Sequence, residues 1–571
     1  MGLDGFTLRA LVAELAPTLS DARLTRIHQP ARDEVALILY HQRRDWRLVL
    51  SVNPRWARLS LEDVGQDNPP APPPFCMVLR KHLDGARLVE IAQDGLERVV
   101  TLTFVVRDEL GDLRRKRLLL EIMGRHSNLV LVDERNTIID AIRRVADEDA
   151  VRPLLPGLPY APPPRPALPD ALTVDRASLA ELLRCPHPVV DALCQGLFGL
   201  SPLLAREICA RAGVDPRIAA ETLGLAEVDA IYDALAALRS DESALRPQAV
   251  TLADGRREFS AFALTQFGAA PRRYYGSVNA LIADVLGGGA RQETVASLKR
   301  SLAAVVRRER ERCMRKRAAQ LEEARRGAEA DDLRLVGELI LANLHKLGKR
   351  MTAATLTDYA GNERTVVLDP SLSPSDNAQA YFRRYARAKK AAVAAADQAR
   401  RTGEELAYLN EVAVAIEQAT DIASLNDIRA ELAEQGYLRG TGSGRPAKPA
   451  PSAPRRFISA DGYEILVGRN NMQNDLLTMK LARPGDIWLH AKDIPGAHVI
   501  LRVGNEPPPF SAILEAAALA AYYSSARDAT KVPVDYTERR HVRKVPGARP
   551  GMVIYDRQKT IMVVPQEPAG E

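Results

Sequence analysis

The first 150 residues combine helical spacing of apolar residues with a series of strand-like alternations. Apolar positions recur every three or four residues in 6–15, which predicts a helix. A second helix is predicted for 75–83, after the proline-rich stretch 67–74. Alternating runs predict strands at 35–40, 47–52, 57–61, 88–92, 98–106, 116–122, 129–132 and 137–139. We therefore predict a mixed α/β domain over residues 1–152.

The pattern changes after residue 152. Proline at nearly every second or third position in 153–169 predicts an extended linker. A small helical domain is predicted for 170–240. Within it, 199–208 predicts a tight glycine turn followed by a helix capped by Ser201 with Pro202 just inside. This arrangement resembles a helix-hairpin-helix, although such turns also occur in plain helical bundles.

Residues 241–438 begin with short alternating runs and continue as two long helical patterns. The segment 291–326 contains twelve lysine or arginine residues against five glutamates, beside an apolar stripe. The second pattern starts after Asn377 and opens with the basic run FRRYARAKKA at 382–391. We predict an antiparallel coiled-coil hairpin that carries a small middle domain. Solvated helical faces are commonly charged, but the excess of one sign favours contact with a phosphate backbone.

The composition of 439–455, rich in glycine, serine and proline, predicts a linker without a core. It isolates a final α+β domain at 456–565, in which we predict strands at 463–467, 486–490 and 498–502 and a helix at 512–523. Strands at 552–555 and 560–564 are expected to close its sheet. The fold class predicted for the whole chain is multidomain α+β.

Composition and charge narrow the function classes. The 571 residues carry 79 lysines and arginines against 73 acidic residues, a net charge of +6. No apolar run of about 18 residues occurs, and Asp4, Arg9 and Glu14 interrupt the first segment, so we expect a cytoplasmic protein without membrane contact. Five cysteines without a CxxC pair argue against a disulfide framework, structural zinc or redox chemistry.

A dense polar cluster occupies 463–502. Its amide side chains can either cap and turn the chain or bind a polar ligand, because each amide offers both donors and acceptors. A basic segment follows at 531–544. The candidate residues for an RNA- or ribosome-facing surface are Asn470, Asn471, Gln473, Asn474, Asp475, Lys480, His490, His498, Arg539, Arg540, Arg543 and Lys544.

Two candidate positions lie in the N-terminal domain. Glu97 and Arg98 stand at the start of a predicted strand, and the sequence EIMGRHSN at 121–128 predicts a hairpin connection around Gly124. The polar residues around Gly124 would cluster at one end of the sheet. An ordinary hairpin turn with solvated charges explains the same pattern.

Common catalytic motifs are absent. The chain contains no GxxxxGK[ST], no HExxH and no GxSxG sequence. His490 and His498 would need at least one further ligand to bind a metal, and hydrogen-bonding roles are favoured for both. We predict no catalytic residue, no metal and no cofactor.

Four separated segments resemble the NFACT family. GRNNMQNDLLTMKLARPGDIWLHAKDIPGAHVILR at 468–502 is similar to the signature of its C-terminal NFACT-R domain, and EIMGRHSN to that of its NFACT-N domain. MGLDGFTLRALVAEL at the start and LDPSLSPSDNAQAYFRRYARAKKA at 368–391 also fit the family. The resemblance covers essentially the full length and implies NFACT-N and NFACT-R domains at the two ends.

This resemblance implies a ribosome-associated quality-control factor. Such a protein binds large ribosomal subunits that are obstructed by peptidyl-tRNA, contacts rRNA, and recruits alanyl-tRNA for mRNA-independent alanine tailing that marks the stalled chain for degradation. Peptidyl transfer would belong to the ribosome, so an enzyme is not expected. The tRNA-binding residues implied are Glu97, Arg98, Glu121, Ile122, Met123 and Arg125. At position 97 the family usually has aspartate.

Two other function classes are weighed against this one. Relatives have carried the label of a fibronectin-binding surface adhesin, against which the lack of a signal peptide counts. The N-terminal half also resembles formamidopyrimidine DNA glycosylases in fold, but Gly2 stands where those enzymes carry their nucleophilic proline. Glycosylase activity and DNA as a partner are therefore not expected.

Overall fold

The computed structural model describes residues 2–63, 65, 68–69, 71–107, 111–146, 152–240, 245–328, 330–438, 452–504 and 506–567. The chain divides into two compact units, Met1–Thr294 and Val295–Glu571. Helices and several sheets occur along the chain, which confirms the predicted multidomain α+β class. Among the described helices, none combines the length and the apolar character that a bilayer crossing needs.

A nine-stranded antiparallel sheet dominates the first unit. Its strand order is β4-β3-β2-β1-β5-β6-β7-β8-β9, and apolar residues of helix α1, including Phe6 and Leu11, are buried in its core. The Asp4 carboxylate caps α1 by accepting the Thr7 amide at 2.8 Å. The elements are α1 Gly5–Leu19, β1 Ala22–Ala31, β2 Glu34–His41, β3 Arg44–Ser51, β4 Arg58–Leu61, α2 Pro74–Leu83, β5 Arg87–Gln93, β6 Val99–Arg107, β7 Leu113–Glu121, β8 Asn128–Val132 and β9 Ile138–Ala141.

Residues 152–170, here called the proline strap, contain a turn around Gly157 and pack on the domain before them. Leu154 and Tyr160 are buried against Val130 and Ile138. The Ile138 amide donates to the Leu158 carbonyl at 2.8 Å. The apolar residues between the prolines therefore bind the strap to the edge of the sheet, which the proline pattern alone does not reveal.

Five α-helices and a small sheet follow the strap in the described part of the first unit. The turn before α5 contains Gly199, and Ser201 caps the helix as predicted by accepting the Leu204 amide at 3.3 Å. The predicted β insertion is a three-stranded sheet of order β11-β10-β12. The elements are α3 Arg176–Leu182, α4 Val189–Gly196, α5 Pro202–Ala212, α6 Leu225–Ser240, β10 Leu245–Thr251, β11 Arg257–Phe262, β12 Arg272–Tyr274 and α7 Val278–Ile282.

Long helices form the first part of the second unit, which begins within α8. Leu302 of α8 shares an apolar cluster with Val412 of α10, whereas farther along α8 Gly327 lies against Ala392. The contacts therefore run in opposite directions along the two helices, although a coiled coil in the strict sense stays a prediction. The elements are α8 Gly288–Ala328, α9 Asp331–Ala342, β13 Ala353–Thr357, β14 Glu363–Val367, α10 Pro374–Gln418 and α11 Ile422–Glu434.

The C-terminal domain is a six-stranded antiparallel sheet covered by an alanine-rich helix. Its strand order is β15-β16-β18-β17-β19-β22, and Ala516 and Ala520 of α13 are fully buried against it. Strand β22 closes the sheet as predicted. The segment at 552–555 does not: only Ile554 and Tyr555 are extended, and they pair with β20. The elements are β15 Arg455–Ile458, β16 Glu464–Val467, α12 Asn471–Leu476, β17 Ile487–Ala491, β18 Val499–Leu501, α13 Phe510–Tyr522, β19 Val532–Glu538, β20 Val542–Arg543, β21 Ile554–Tyr555 and β22 Lys559–Val563.

In the six-stranded sheet the position next to β19 is occupied by β22, and the residues 554 and 555 pair with β20 instead. The Tyr555 hydroxyl donates to the Asp535 carboxylate at 3.0 Å, so the ribbon of β20 and β21 packs on a face of the sheet. Of the predicted linker at 439–455, residues 439–451 lie outside the described residues.

Candidate nucleic-acid interface

The two candidate motifs of the N-terminal domain meet at one end of the sheet. Strands β6 and β7 pair with Val99 opposite Glu121, so the residues just outside them are neighbours. The Ile122 amide donates to the Arg98 carbonyl at 2.8 Å. Pairing of two adjacent strands thus brings together segments that are more than twenty residues apart in the chain.

The loop that carries Glu97 and Arg98 is a closed turn. The Glu97 amide donates to the Asp94 carbonyl at 2.9 Å, and Gln93 Nε2 donates to the Glu97 carbonyl at 2.7 Å. Arg98 is exposed, whereas Glu97 is half-buried. Burial raises the pKa of Glu97 above its ordinary value, and the positive charge of Arg165 opposes that rise. The turn therefore presents a cation to solvent beside a partly desolvated carboxyl.

The second motif forms a tight turn from 122 to 127. Gly124 has a φ of 58°, a left-handed conformation that glycine adopts without strain. Ser127 is buried, and its hydroxyl accepts the Met123 amide at 2.9 Å. Arg125 and His126 are exposed at the tip, where Arg125 Nε donates to His126 Nε2 at 2.9 Å. Polar groups on a rigid turn are suited to reading unstacked bases.

Arg143 holds this turn from outside the motif. Its Nη1 donates to the carbonyls of Arg125 and Ser127, both at 3.3 Å, and its Nη2 donates to the Val52 carbonyl at 2.9 Å. The turn is therefore fixed against the loop that follows β3. Arg143 has no sequence signal that would have marked it as part of the site.

Glu121 does not face solvent. It is fully buried, and Arg152 of the proline strap donates to its two carboxylate oxygens at 2.8 and 2.6 Å. The Tyr160 hydroxyl donates to the same carboxylate at 2.9 Å. Ile122 is also buried, at 3% exposure. In this structure Glu121 and Ile122 are buried beneath the turn. Met123 is half-buried, and Arg125 is exposed.

Arg152 and Tyr160 were missed because the strap was interpreted as a linker. The available signal was Tyr160, an aromatic residue in an otherwise proline-rich run. Burial, together with the Glu121 carboxylate, raises the pKa of Tyr160, so its hydroxyl remains a donor.

The helical region of the first unit packs directly on the loop of Glu97. Gly199 has a φ of 87°, and a Cβ placed on it would lie 2.4 Å from Leu96 Cβ. Only a glycine allows so close an approach at this backbone conformation. The turn that precedes α5 therefore belongs to the same end of the sheet as Glu97 and Arg98, while a helix-hairpin-helix function stays a prediction.

In the C-terminal domain, five of the predicted residues are buried. Asn470, Asn471, Gln473, Asn474 and His498 are each 2–3% exposed. Asn470 caps α12 by accepting the Gln473 amide at 2.9 Å, and Asn474 accepts the His498 amide at 3.1 Å. These side chains hold the loops in place and do not reach solvent in this structure.

The two histidines of this domain are neighbours. The ring centroids of His490 and His498 are 5.4 Å apart, and His498 Nδ1 lies 2.8 Å from the Thr478 hydroxyl. Burial lowers the pKa of both rings, so they are neutral near pH 7. Within the described ranges, no group of three or more histidine, cysteine, aspartate or glutamate residues is arranged to hold a metal ion.

The exposed cations of this domain are distinct from the buried cluster. Lys480, Arg540, Arg543 and Lys544 are exposed, and Arg539 is half-buried with its Nε donating to the Thr478 carbonyl at 2.7 Å. Three of these cations have acidic neighbours: Arg540 pairs with Glu538, Arg543 with Asp556 and Lys544 with Asp475. The pairs of Arg540 and Arg543 are exposed, and exposed pairs are weak and can exchange for a phosphate.

Helix α10 carries a second basic surface near its start. Arg384 and Lys389 lie over the rings of Tyr381 and Tyr385, at 5.6 and 5.5 Å from the centroids. Cations interleaved with aromatic rings are typical of surfaces that bind single-stranded nucleic acid.

One buried carboxyl, Glu431, and one half-buried carboxyl, Glu411, lie at the base of the long helices. Glu431 of α11 accepts the Tyr408 hydroxyl at 2.8 Å, and Glu411 lies on α10 nearby. Burial raises the pKa of Glu411 to about 8 and that of Glu431 to about 7. Both groups therefore titrate close to neutral pH.

Comparison with known proteins matches the chain almost end to end. The profile of the NFACT N-terminal and middle domains matches residues 4–450, and that of the NFACT protein RNA binding domain matches 454–556. The Rqc2 homolog RqcH of Bacillus subtilis is 35% identical over 99% of this chain and 98% of its own length. The human ribosome quality control complex subunit NEMF is 41% identical over 75 residues, 13% of this chain and 7% of that protein.

A solved structure with a different label also matches. The C-terminal part of the fibronectin/fibrinogen-binding protein from Streptococcus suis is 34% identical, with a TM-score of 0.38 that covers 48% of this chain and 96% of that one.

Proposed function

This chain belongs to the NFACT family, and from that premise we propose that it is a cytoplasmic ribosome-associated quality-control factor. It binds large ribosomal subunits that still hold peptidyl-tRNA, through contacts with rRNA and the tRNA. It recruits alanyl-tRNA to them, and the ribosome joins the alanines to the stalled chain without mRNA. The resulting tail marks the chain for degradation.

The observation that carries this proposal is the meeting of Arg98 and Arg125 at one end of the N-terminal sheet. Both side chains are exposed, and each stands on a turn fixed by backbone hydrogen bonds. Anticodon-loop bases are unstacked, so their edges are open to arginine and main-chain groups held in this way. Glu97 and Met123 flank the two cations and complete the contact surface.

Different residues supply different parts of the affinity. Arg98 and Arg125 read the tRNA, whereas Glu121 and Ile122 position the turn without touching it. The cations of the C-terminal domain and those of α10 bind phosphates without regard to sequence. None of these residues performs a chemical step, and the protein acts as a tRNA-handling factor.

Sedimentation tests the proposal. Lysates from cells with stalled translation are separated on a sucrose gradient and each fraction is probed for the protein. Presence in the large-subunit fraction, together with enrichment of alanine-accepting tRNA among the co-purifying RNAs, supports the proposal. Absence from that fraction, or recovery only by labelling of the cell surface, would refute it and favour an adhesin.

A further inference from the structure

Arg165 of the proline strap lies on an aromatic ring beside the Glu97 loop. Its guanidinium carbon is 4.0 Å from the centroid of the Phe198 ring, and its Nη2 donates to the Asp170 carboxylate at 2.8 Å. The side chain is nevertheless 39% exposed. One face of the guanidinium is thus covered by the ring, and a substantial part of the group is open to solvent.

The frame that holds Arg165 is rigid. Phe198 packs against the main core, its amide donates to the Pro169 carbonyl at 2.8 Å, and its carbonyl accepts the Ala171 amide at 3.1 Å. Asp170 Oδ1 accepts the Leu172 amide at 2.9 Å. The ring and the carboxylate that orient the guanidinium are therefore both fixed by the backbone.

The same frame lies next to the loop that carries Glu97 and Arg98. Gly199, which follows Phe198, packs on Leu96, and a Cβ placed on Gly95 would lie 3.3 Å from Asp170 Oδ2. Residues 95 and 96 immediately precede Glu97. The positive charge of Arg165 lowers the pKa of Glu97 more than that of Arg98 does.

We propose that Arg165 is an additional RNA-contacting residue, whose guanidinium rests on Phe198 and stacks its outer face on an unstacked base next to Arg98. This inference rests on the proposed function. Guanidinium planes stack on nucleobases, and a ring behind the plane keeps it oriented. The ion pair with Asp170 engages one edge of the guanidinium and Phe198 covers one face, while 39% of the Arg165 side chain is left open to a base.

Binding of an in vitro transcribed alanine-accepting tRNA to the full chain tests this contact. We expect Arg165→Ala to weaken binding roughly 5- to 150-fold, the range for loss of one stacked base. Arg165→Lys keeps the charge but loses the plane, so it should weaken binding comparably and leave the salt dependence unchanged. Binding of a fully paired RNA duplex of equal length should not change in either variant.

Arg176 offers a matched control. Its guanidinium lies over the Tyr232 ring, 4.8 Å from the centroid, and pairs with Asp229 and Asp233. Arg176 belongs to α3, and its three partners belong to α6. Arg176→Ala should bind the tRNA like the unchanged protein. Wild-type affinity in Arg165→Ala would overturn the contact, and wild-type affinity in Arg165→Lys would overturn stacking. If Arg98→Ala loses tRNA binding while Arg165→Ala keeps it, the proposed function stands and only this inference is refuted.

Discussion

Replacing Arg152 by alanine should loosen the turn of residues 122–127, although Arg152 lies outside that turn and bonds to Glu121 just before it. Arg152 supplies two hydrogen bonds to Glu121, and the two side chains are 16% and 0% exposed. Without the guanidinium, the Tyr160 hydroxyl is the one side-chain donor that the described residues still offer to the buried carboxylate. Removing one partner of a buried ion pair costs about 3–5 kcal/mol, since the remaining charge is left without compensation.

Hydrogen exchange at the Ile122 amide measures this effect. That amide bonds to the Arg98 carbonyl and immediately follows Glu121. Because each 1.4 kcal/mol changes an equilibrium tenfold, exchange should accelerate by roughly two to three and a half decades. Arg114→Ala is the control: its pair with Glu134 is 46% and 41% exposed, so exchange should change by less than about one decade.

A second substitution separates charge burial from simple loss of contact. Adding Glu121→Gln to Arg152→Ala removes the uncompensated charge, so part of the protection should return. Unchanged exchange in Arg152→Ala, or no recovery in the double variant, would refute the account of Glu121 as a residue that positions the turn.

Three further perturbations test other parts of the structure. Arg98→Ala should abolish alanine tailing while gradient sedimentation still finds the protein with large subunits, because phosphate contacts elsewhere supply most of the affinity; loss of sedimentation would contradict that division. Gly199→Ala, which places a Cβ 2.4 Å from Leu96, should lower stability to denaturant by roughly 1–3 kcal/mol, more than Gly213→Ala, where φ is 72° but no atom lies within 4 Å. Between pH 4.5 and about 8, Glu411 and Glu431 keep their protons in the folded protein but lose them in the unfolded chain. The free energy of unfolding of the second unit should therefore fall as pH rises. Denaturant titrations of the double variant Glu411→Gln with Glu431→Gln should show a flatter pH dependence.

Local patterns predicted most of the elements that carry the site. The alternation around Val99 and Leu118 marked β6 and β7, and the glycine of EIMGRHSN marked the turn between β7 and β8. The convergence of the two motifs follows from adjacent antiparallel strands. Ser201 and Pro202 marked the start of α5 because capping depends on neighbouring residues.

Contacts between distant segments left no such signal. Pairing of Arg152 with Glu121 and packing of Gly199 on Leu96 depend on how the strap and the helices fold back. The amides at 470–474 could equally bind a ligand or cap a helix, and only their burial separates the two roles. Composition predicts that a proline-rich segment is extended, but it does not predict whether Leu154 and Tyr160 are buried against the sheet.

The fold-back of the proline strap also bears on the order of synthesis. The surface around Arg98 needs Glu121, Arg152 and the turn at Gly199, which span about a hundred residues. Because a growing chain emerges from its amino end, the surface cannot form until residue 199 and the helix behind it have left the exit tunnel. A truncated copy that ends earlier should therefore lack tRNA affinity. In a cell with many interrupted ribosomes, copies of this protein that end before residue 199 would not compete with complete ones for tRNA.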